Sequence, residues 1–484
     1  MLLIAAPTVI TMTSYTVMQF FDGFMVSRYG TQGDVNVAAQ GNGGMIVWLA
    51  LSIVLGLVGV INTYVAQNLG AGTPEKGSAY AWNGLWLALA MALLMLPYTA
   101  VIPSMYQWLG HEGDLLRLET SYARVLCFGA FFTLASRALS QFYYGIHKPT
   151  IIMLCALGAN VVNVFLNTIL IYGREGVPDG WSMGWALQPA AWIARTLDVE
   201  PMGVTGAALA TVVGTSLEFI IPFAIFLSPR YNNPYQTRRA WRLSLPHIKD
   251  ILKIGWPAGL MFGNEMICWG YLMVGLLPAG GRAAGEDPVL HASAGWIALR
   301  YMHLSFMPAV GMSIAVTAIV GKCMGMGRPD LAAKRAKLGL AVTLGYMALC
   351  AVAFVVFREP MIRVFIDENL PAPKIADLIR IGSGVMIAAA VFQVFDALGI
   401  TLSGALRGAG DTVWPGVLTV ILAWTLLIGL GHAMIEIAPH LGSLGPWIAA
   451  SAYIIALGIA LLWRFACGKW KSIKLVDGPT PISH

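Results

Sequence analysis

Long apolar segments separated by short polar stretches run through this chain from its first residues almost to its last. Each apolar segment holds about 20 residues or more, which as a helix is enough to cross the ~30 Å hydrocarbon core of a bilayer. The pattern therefore predicts an all-α polytopic membrane protein with twelve transmembrane helices. The predicted spans are residues 2–27, 42–66, 79–103, 118–144, 149–173, 203–228, 251–277, 294–320, 337–357, 378–404, 413–435 and 443–466.

Composition supports the same class of protein. Of the 484 residues, 57% are hydrophobic and 11% are charged, which excludes an ordinary soluble globular domain. The first span begins at Met1 with no basic region and no small-residue cleavage site, so we expect a retained helix rather than a removed signal peptide. The six cysteines form no C-x-x-C motif or Cys/His cluster, and no Walker A motif is found, so neither structural zinc nor an ATP-driven pump is indicated.

The basic residues are unevenly distributed between the two sets of loops. The loops on the side of both termini carry 18 of the 30 Lys and Arg residues, against 9 on the opposite side. This bias predicts a multi-pass protein of the cell inner (plasma) membrane with both termini in the cytoplasm. Residues 238–242 read RRAWR, which we interpret as part of a basic juxtamembrane loop, so we expect a lipid bilayer and no nucleic acid as partner.

Two halves of the chain share short motifs in the same order. Residues 70–75 read GAGTPE and residues 325–330 read GMGRPD, at an offset of 255, and Leu-Ser followed by Gly recurs at 139–145 and 402–408. These matches predict a duplicated unit of six helices, and hence two lobes related by a pseudo-two-fold axis along the membrane normal. The predicted domains are a lobe at 1–228, a basic cytoplasmic linker at 229–250, a lobe at 251–466 and a cytoplasmic tail at 467–484.

Three motifs carry a resemblance to a known family. They are FDGFMV at 21–26 in the first span, GAG at 70–72 after the second, and LRGAGDT at 406–412 after the tenth. With these motifs the chain resembles the multidrug and toxin extrusion (MATE) transporters, NorM-like branch, over essentially its full length. The resemblance implies an antiporter in which entering sodium ions or protons drive organic compounds out as two lobes rock. We expect a small organic substrate, no cofactor and a monomer.

Four carboxylates lie inside otherwise apolar predicted helices: Asp22, Glu218, Glu265 and Asp396. A charge at bilayer depth costs ~3 kcal/mol, so such a group rarely persists without a partner, a wet cavity or a function. In the NorM-like branch a Glu of the seventh span and an Asp of the tenth form the cation site. By this resemblance Glu265 and Asp396 are the candidate cation-coupling pair, which would bind Na⁺ or a proton.

Asp22 is the candidate of the first lobe. Gln19 and Asp22 share one helix face, which could meet Asn163 and Asn167 on the fifth span, and together they are candidates for a substrate or cation cavity. The alternative is a polar patch that joins two helices. Another branch of the family pairs the first-span Asp with an Asp in the fifth span, where this chain has the two asparagines.

Three arginines are also predicted inside spans: Arg124, Arg137 and Arg300. Arg137 and Glu218 lie at similar depth in the fourth and sixth spans, so we expect an ion pair of structural importance. Arg300, in the eighth span, either borders the cavity of Glu265 and Asp396 or extends its charged end to the outer interface. The outer loops 174–201 and 278–293 are long, and no function is predicted for them.

Three other functions remain as alternatives. A flippase for lipid-linked precursors should have a strongly cationic cavity to hold pyrophosphate, and four carboxylates against two central arginines disfavour it. A membrane enzyme would need a nucleophile–base or metal constellation, and the histidines are not spaced for one, so we expect no enzyme. A channel would differ by steady conductance. The coupling ion stays open between sodium and proton.

Overall fold

A computed structural model of the protein describes residues 2–30, 33–177, 184–366 and 371–476. Residues 178–183 of the predicted outer loop 174–201 and residues 477–484 of the predicted tail therefore lie outside the described residues, as does Met1. All regular secondary structure in the described residues is helical.

Every predicted span corresponds to a helical element, which we number α1 to α12, so the twelve-helix prediction is confirmed. The first six are α1 (Leu2–Ser27), α2 (Gly33–Val58 and Ile61–Gly70), α3 (Pro74–Trp108), α4 (Gly113–Phe128 and Ala130–Gly145), α5 (Pro149–Asn167 and Thr168–Tyr172) and α6 (Gly203–Leu227). The others are α7 (Leu245–Tyr271, Leu272–Leu276 and Leu277–Ala283), α8 (Pro288–Gly325), α9 (Pro329–Val356), α10 (Ala372–Ala409), α11 (Val413–Leu422, Ala423–Leu430 and Gly431–Ile437) and α12 (Leu444–Ala466).

Within the described part of the chain, ten of these elements are long and apolar enough to cross a membrane, and the two bent parts of α4 together make an eleventh. The remaining element, α1, has 26 residues. At ~1.5 Å per residue it is about 39 Å long, which also suffices to cross the hydrocarbon core.

The repeated G-x-G-x-P motif ends one helix and starts the next, as its residues predict. Gly72 and Gly327 have φ of +80° and +68°, a left-handed conformation that glycine adopts without steric cost. Pro74 and Pro329 then occupy the first turns of α3 and α9, where a missing backbone N–H leaves no hydrogen bond unmade.

Several local features differ from regular α-helix. The two parts of α4 meet at Gly129 with a bend of 49°, and π-helical turns occur in α5, α7 and α11. The outer loop 174–201 contains a helix, Gly184–Thr196, that was not predicted. Its buried positions are Leu187, Ala190, Ala191 and Ala194, a helical spacing that was present in the sequence.

The helices pack into two compact units. The amino unit comprises Ile10–Ile61 and Thr73–Lys253, and the carboxyl unit comprises Met1–Val9, Asn62–Gly72 and Ile254–His484. This partition follows packing, whereas the predicted domains follow the repeat, and the predicted domain bounds stay a prediction.

The core of the carboxyl unit is a close crossing of α8 and α10. A Cβ on Gly408 would lie 2.5 Å from the backbone oxygen of Thr317, and Gly404 is similarly close to Ser313. The Thr317 hydroxyl donates to the backbone oxygen of Gly404 at 2.8 Å. Small residues spaced by four, with hydroxyls that bridge the helices, are typical of helix packing in membranes. Asp396 lies two turns before Gly404, so this crossing fixes the depth and direction of its helix.

A second close crossing in the carboxyl unit joins the two copies of the repeated motif. A Cβ on Gly70 would meet the backbone oxygen of Lys322, and a Cβ on Gly325 would meet the backbone oxygen of Gln67. Both pairs are related by the repeat offset of 255, because Gly70 corresponds to Gly325 and Gln67 to Lys322. The contact of Gly70 with Lys322 is therefore equivalent to the contact of Gly325 with Gln67 in the other copy.

We predict that Gly408→Ala destabilises the protein, because the new methyl group must push α8 away, at a cost of ~1–3 kcal/mol. Gly399→Ala is the matched control in the same helix, since a Cβ there meets nothing within 4 Å. It should be neutral or stabilising by about 0.5–1 kcal/mol. Thermal unfolding in detergent measures both, and equal stability of the two variants would contradict the role of this crossing.

Candidate functional site

The amino unit brings three of the predicted polar residues together. Asp22 is 4% exposed and accepts a hydrogen bond from the Asn167 side chain at 2.5 Å. The same Asn167 nitrogen also donates to the Asn163 side-chain oxygen at 3.2 Å, and both asparagines are fully buried. Gln19 is exposed and makes none of these hydrogen bonds. Of the two predicted residues of α1, Asp22 therefore makes the contact with the asparagines of α5.

The asparagines of α5 have unused hydrogen-bonding atoms. Asn163 Nδ2, Asn167 Oδ1 and both amide atoms of Asn160 are buried without a partner in the described residues. These three residues lie on one face of α5 at helical spacing. A buried polar atom without a partner costs about 1–3 kcal/mol, so a group of them beside Asp22 is typical of a site that receives water, an ion or a polar ligand.

The predicted ion pair between Arg137 and Glu218 is wrong in its detail. Tyr15 of α1 lies between them: its hydroxyl donates to Glu218 Oε2 at 3.2 Å, and the Arg137 guanidinium carbon lies 4.1 Å from the centre of its ring. Charge compensation is therefore carried through a hydrogen bond and a cation–π contact rather than a direct bridge. This arrangement could not be predicted from the sequence, because Tyr15 is far from both residues along the chain.

The carboxyl unit contains the predicted cation-coupling pair. Glu265 on α7 and Asp396 on α10 are half-buried and close enough to interact electrostatically. The hydroxyl of Tyr453 on α12 donates to Glu265 Oε1 at 3.0 Å, and Tyr453 is almost fully buried. Among the described residues neither carboxylate has a basic partner. Two neighbouring carboxylates without a fixed cation repel each other, so the pair favours uptake of a proton or a metal cation.

Polar residues of α7 and α10 extend this site. The indole N–H of Trp424 donates to Asn264 Oδ1 at 2.8 Å, which leaves Asn264 Nδ2 without a partner in the described part of the chain. Gln393 donates to the Ser305 hydroxyl at 2.9 Å. Asn264 and Gln393 could have been found from sequence, because each is a polar residue near a predicted carboxylate in an apolar span. Tyr453 and Trp424 could not, since aromatic residues are common in such spans.

Arg300 is exposed, and its guanidinium carbon lies 5.1 Å from the centre of the Phe365 ring. This cation–π contact is the one that the structure gives for its charge. Its predicted influence on the carboxylate pair stays a prediction.

Glu119, in α4, is a further buried carboxylate, which was not predicted from the sequence. It is fully buried, lies 2.9 Å from His111 Nδ1 and accepts from the Asn42 side chain at 3.1 Å. Its position near a helix end made it look like an interfacial residue. Within the described ranges, no group of three or more His, Cys, Asp or Glu side chains is arranged to hold a metal ion.

Fold and site together define an integral membrane protein with buried carboxylates in each of two helical units. A family model described as MatE matches residues 7–169 and 267–431. Two relatives carry the name "Probable multidrug resistance protein NorM". The one from Thermotoga maritima is 27% identical, with 90% of this chain and 85% of that protein covered. The one from Xylella fastidiosa is 27% identical, with 96% and 90% covered.

A solved structure has the same fold. A MOP superfamily transporter from Pyrococcus furiosus superposes with a TM-score of 0.81 at 22% identity, covering 98% of this chain and 96% of that one. Because the family model matches more than half of the chain, this protein belongs to the MatE family. It is a membrane transporter of the MATE type, and the predicted resemblance is confirmed.

We predict that Asn167→Ala destabilises the protein by about 1–3 kcal/mol, because Asp22 loses its donor while it remains buried. Asn160→Ala is the control on the same helix, since its amide has no partner to lose among the described residues. That variant should be close to neutral. Unfolding curves recorded in detergent without added substrate compare the two, and an equal loss in both would show that the Asp22 contact contributes nothing.

Proposed function

We propose that this protein is a cation-coupled secondary antiporter that exports organic compounds by alternating access. The observation that carries the proposal is the pair Glu265 and Asp396, two neighbouring half-buried carboxylates without a basic partner in the described residues. The names of the NorM relatives, which refer to multidrug resistance, support organic compounds as the substrate class. The expected setting is the inner (plasma) membrane, with both termini cytoplasmic and the protein monomeric.

The coupling requires that the charges of Glu265 and Asp396 never remain without neutralisation in the membrane. A sodium ion or a proton neutralises the repulsion between the two carboxylates in one state, and its release accompanies the opposite state. Tyr453 holds one oxygen of Glu265 in a fixed position through its hydrogen bond, so the cation meets a defined geometry. A cation entering down ~100 mV releases ~2.3 kcal/mol, on the order of 50-fold accumulation of substrate.

The amino unit supplies the second polar region. Asp22, with the unused amide atoms of Asn163 and Asn167, offers carboxylate and amide oxygens to a cationic substrate or to a second cation. Gln19 is assigned to this region because it is exposed next to Asp22 on α1, and Arg300 is assigned to substrate binding in the carboxyl unit. Arg300 would favour an anionic group on the substrate.

A flippase for lipid-linked precursors is less well supported. It needs cationic side chains free to hold pyrophosphate. Arg137 lies over the ring of Tyr15, and Arg300 lies over the ring of Phe365. Carboxylates rather than arginines dominate the buried charges.

We predict that Asp22→Asn inserts and folds but loses most drug efflux, because the amide keeps the shape of the side chain and removes its charge. Efflux of a fluorescent organic cation from cells or vesicles measures this. Glu436→Gln, an exposed carboxylate at the end of α11, is the control and should keep full activity. Wild-type efflux in Asp22→Asn would remove Asp22 from the mechanism.

We predict that Glu265→Gln and Asp396→Asn each abolish gradient-driven efflux, and that the double variant is no worse than either single one. Two groups that form one site show this non-additivity, whereas independent groups show additive losses. Efflux from proteoliposomes under an imposed gradient measures all three. Full activity of both inserted single variants would overturn the assignment of the pair.

The same proteoliposomes identify the coupling ion when pH and sodium gradients are imposed separately. If sodium couples, its binding to the wild type should weaken as pH falls, because protons compete for the same oxygens. If protons couple, a sodium gradient alone should drive no efflux.

A further inference from the structure

The basic linker between α6 and α7 is held as an ordered strap along one face of α3. We define the strap as residues 235–244. Three side chains of α3 spaced by four residues each donate to a strap carbonyl: Ser78 to Tyr235 at 2.7 Å, Trp82 to Thr237 at 2.7 Å and Trp86 to Trp241 at 2.9 Å. The spacing places all three donors on one stripe of the helix.

Both ends of the strap are also fixed. The Thr237 hydroxyl donates to the backbone oxygen of Phe226 at 2.7 Å, and the Ser244 backbone N–H donates to Asn83 Oδ1 at 2.9 Å. Five hydrogen bonds therefore hold ten residues of a connecting segment. A segment that only joined two helices would need none of them.

The strap lies along the part of α3 that leaves the hydrocarbon core. With 35 residues α3 is about 52 Å long, roughly 20 Å more than the ~30 Å apolar thickness of a bilayer. Trp86 lies twelve residues after the start of α3, about 18 Å along its axis. Trp86 is seven residues, about 10 Å, inside the start of the predicted span 79–103, so Trp241, which Trp86 holds, lies near that boundary of the hydrocarbon core.

The side chains that the strap displays combine positive charge with apolar surface. Arg239 and Arg242 are exposed and form no ion pair with any described residue. Trp241 and Leu243 beside them are 54% and 59% exposed. The strap itself contains no acidic residue. Some other cations near helix ends do pair with a carboxylate: Lys471 pairs with Asp330 at 2.8 Å and Arg464 with Asp411 at 2.7 Å.

We propose that the strap is a binding surface for anionic phospholipid headgroups. The guanidinium groups of Arg239 and Arg242 bind lipid phosphates, for which their planar donors are suited. Trp241 and Leu243 enter the interface between headgroups and acyl chains, where tryptophan is favoured. The hydrogen bonds from α3 fix the strap so that both kinds of group reach the membrane together.

The test compares anionic with zwitterionic lipid around the purified full-length protein. The protein is reconstituted in phosphatidylcholine vesicles that contain brominated phosphatidylglycerol or brominated phosphatidylcholine, and quenching of tryptophan fluorescence reports which lipid is adjacent. Subtracting the signal of Trp241→Phe isolates the strap. We expect the wild type to prefer phosphatidylglycerol there, and the preference to weaken in 1 M salt because the charges are screened.

The decisive variant is Arg239→Gln/Arg242→Gln, made in the wild type and in Trp241→Phe. Each cation near an anionic surface strengthens association roughly fivefold, so the double variant should lose about 25-fold in preference. Arg242→Gln alone should lose about fivefold, which keeps the test possible if the double variant is not recovered. The control, Lys334→Gln/Arg335→Gln, removes the same charge from exposed positions on α9 and should retain the preference.

Two results would overturn the proposal. One is no preference for phosphatidylglycerol at Trp241 in the wild type, and the other is an equal loss in the strap and control variants, which would indicate only overall charge. The readout needs no transport activity, so its outcome is independent of the proposed antiport.

Discussion

Hydrocarbon offers no hydrogen bonds, and this property of the bilayer determines most of the structure. Backbone polar groups must be satisfied within each span, which leaves helices as the local structure. Apolar surfaces gain little from contact with one another in lipid, so helices associate through close approach and bridging polar groups. The crossing of α8 and α10 shows both, with Gly404 and Gly408 against Ser313 and Thr317.

Because hydrocarbon offers no hydrogen bonds, the charge of each carboxylate in the spans must be compensated within the protein. The carboxylates differ in how this is done. Asp22 and Glu218 each accept a hydrogen bond from a neutral donor, an asparagine and a tyrosine. Glu265 has a tyrosine donor too, but it also interacts electrostatically with another carboxylate, Asp396. In the first arrangement a neutral group donates to the carboxylate, whereas the second also brings two carboxylates close enough to repel each other. A transporter needs one site of the second kind to couple its cycle to a gradient.

Features that depend on one segment could be predicted from the sequence. The twelve spans follow from hydropathy, the turns at Gly72 and Gly327 from glycine and proline chemistry, and the meeting of Asp22 with α5 from polar residues at helical spacing. Features that depend on distant segments could not. Tyr453 and Tyr15 are aromatic residues in apolar spans, and nothing in the sequence shows that each bonds a carboxylate. The π-helical turns could not be predicted either, because one extra residue in a helical turn does not change the composition of the segment.

The reciprocal crossing of Gly70 with Lys322 and of Gly325 with Gln67 has a consequence for the history of the chain. A contact that is unchanged when its two halves are exchanged is the contact of a symmetric dimer. In an ancestor made of two separate identical half-chains, one substitution would have altered both crossings at once. In the present chain the two matching positions differ: the Gln67 amide donates to the backbone oxygen of Gly408, while a lysine stands at the matching site. The two glycines are the same in both copies, and a side chain at either one would meet the backbone of the facing helix.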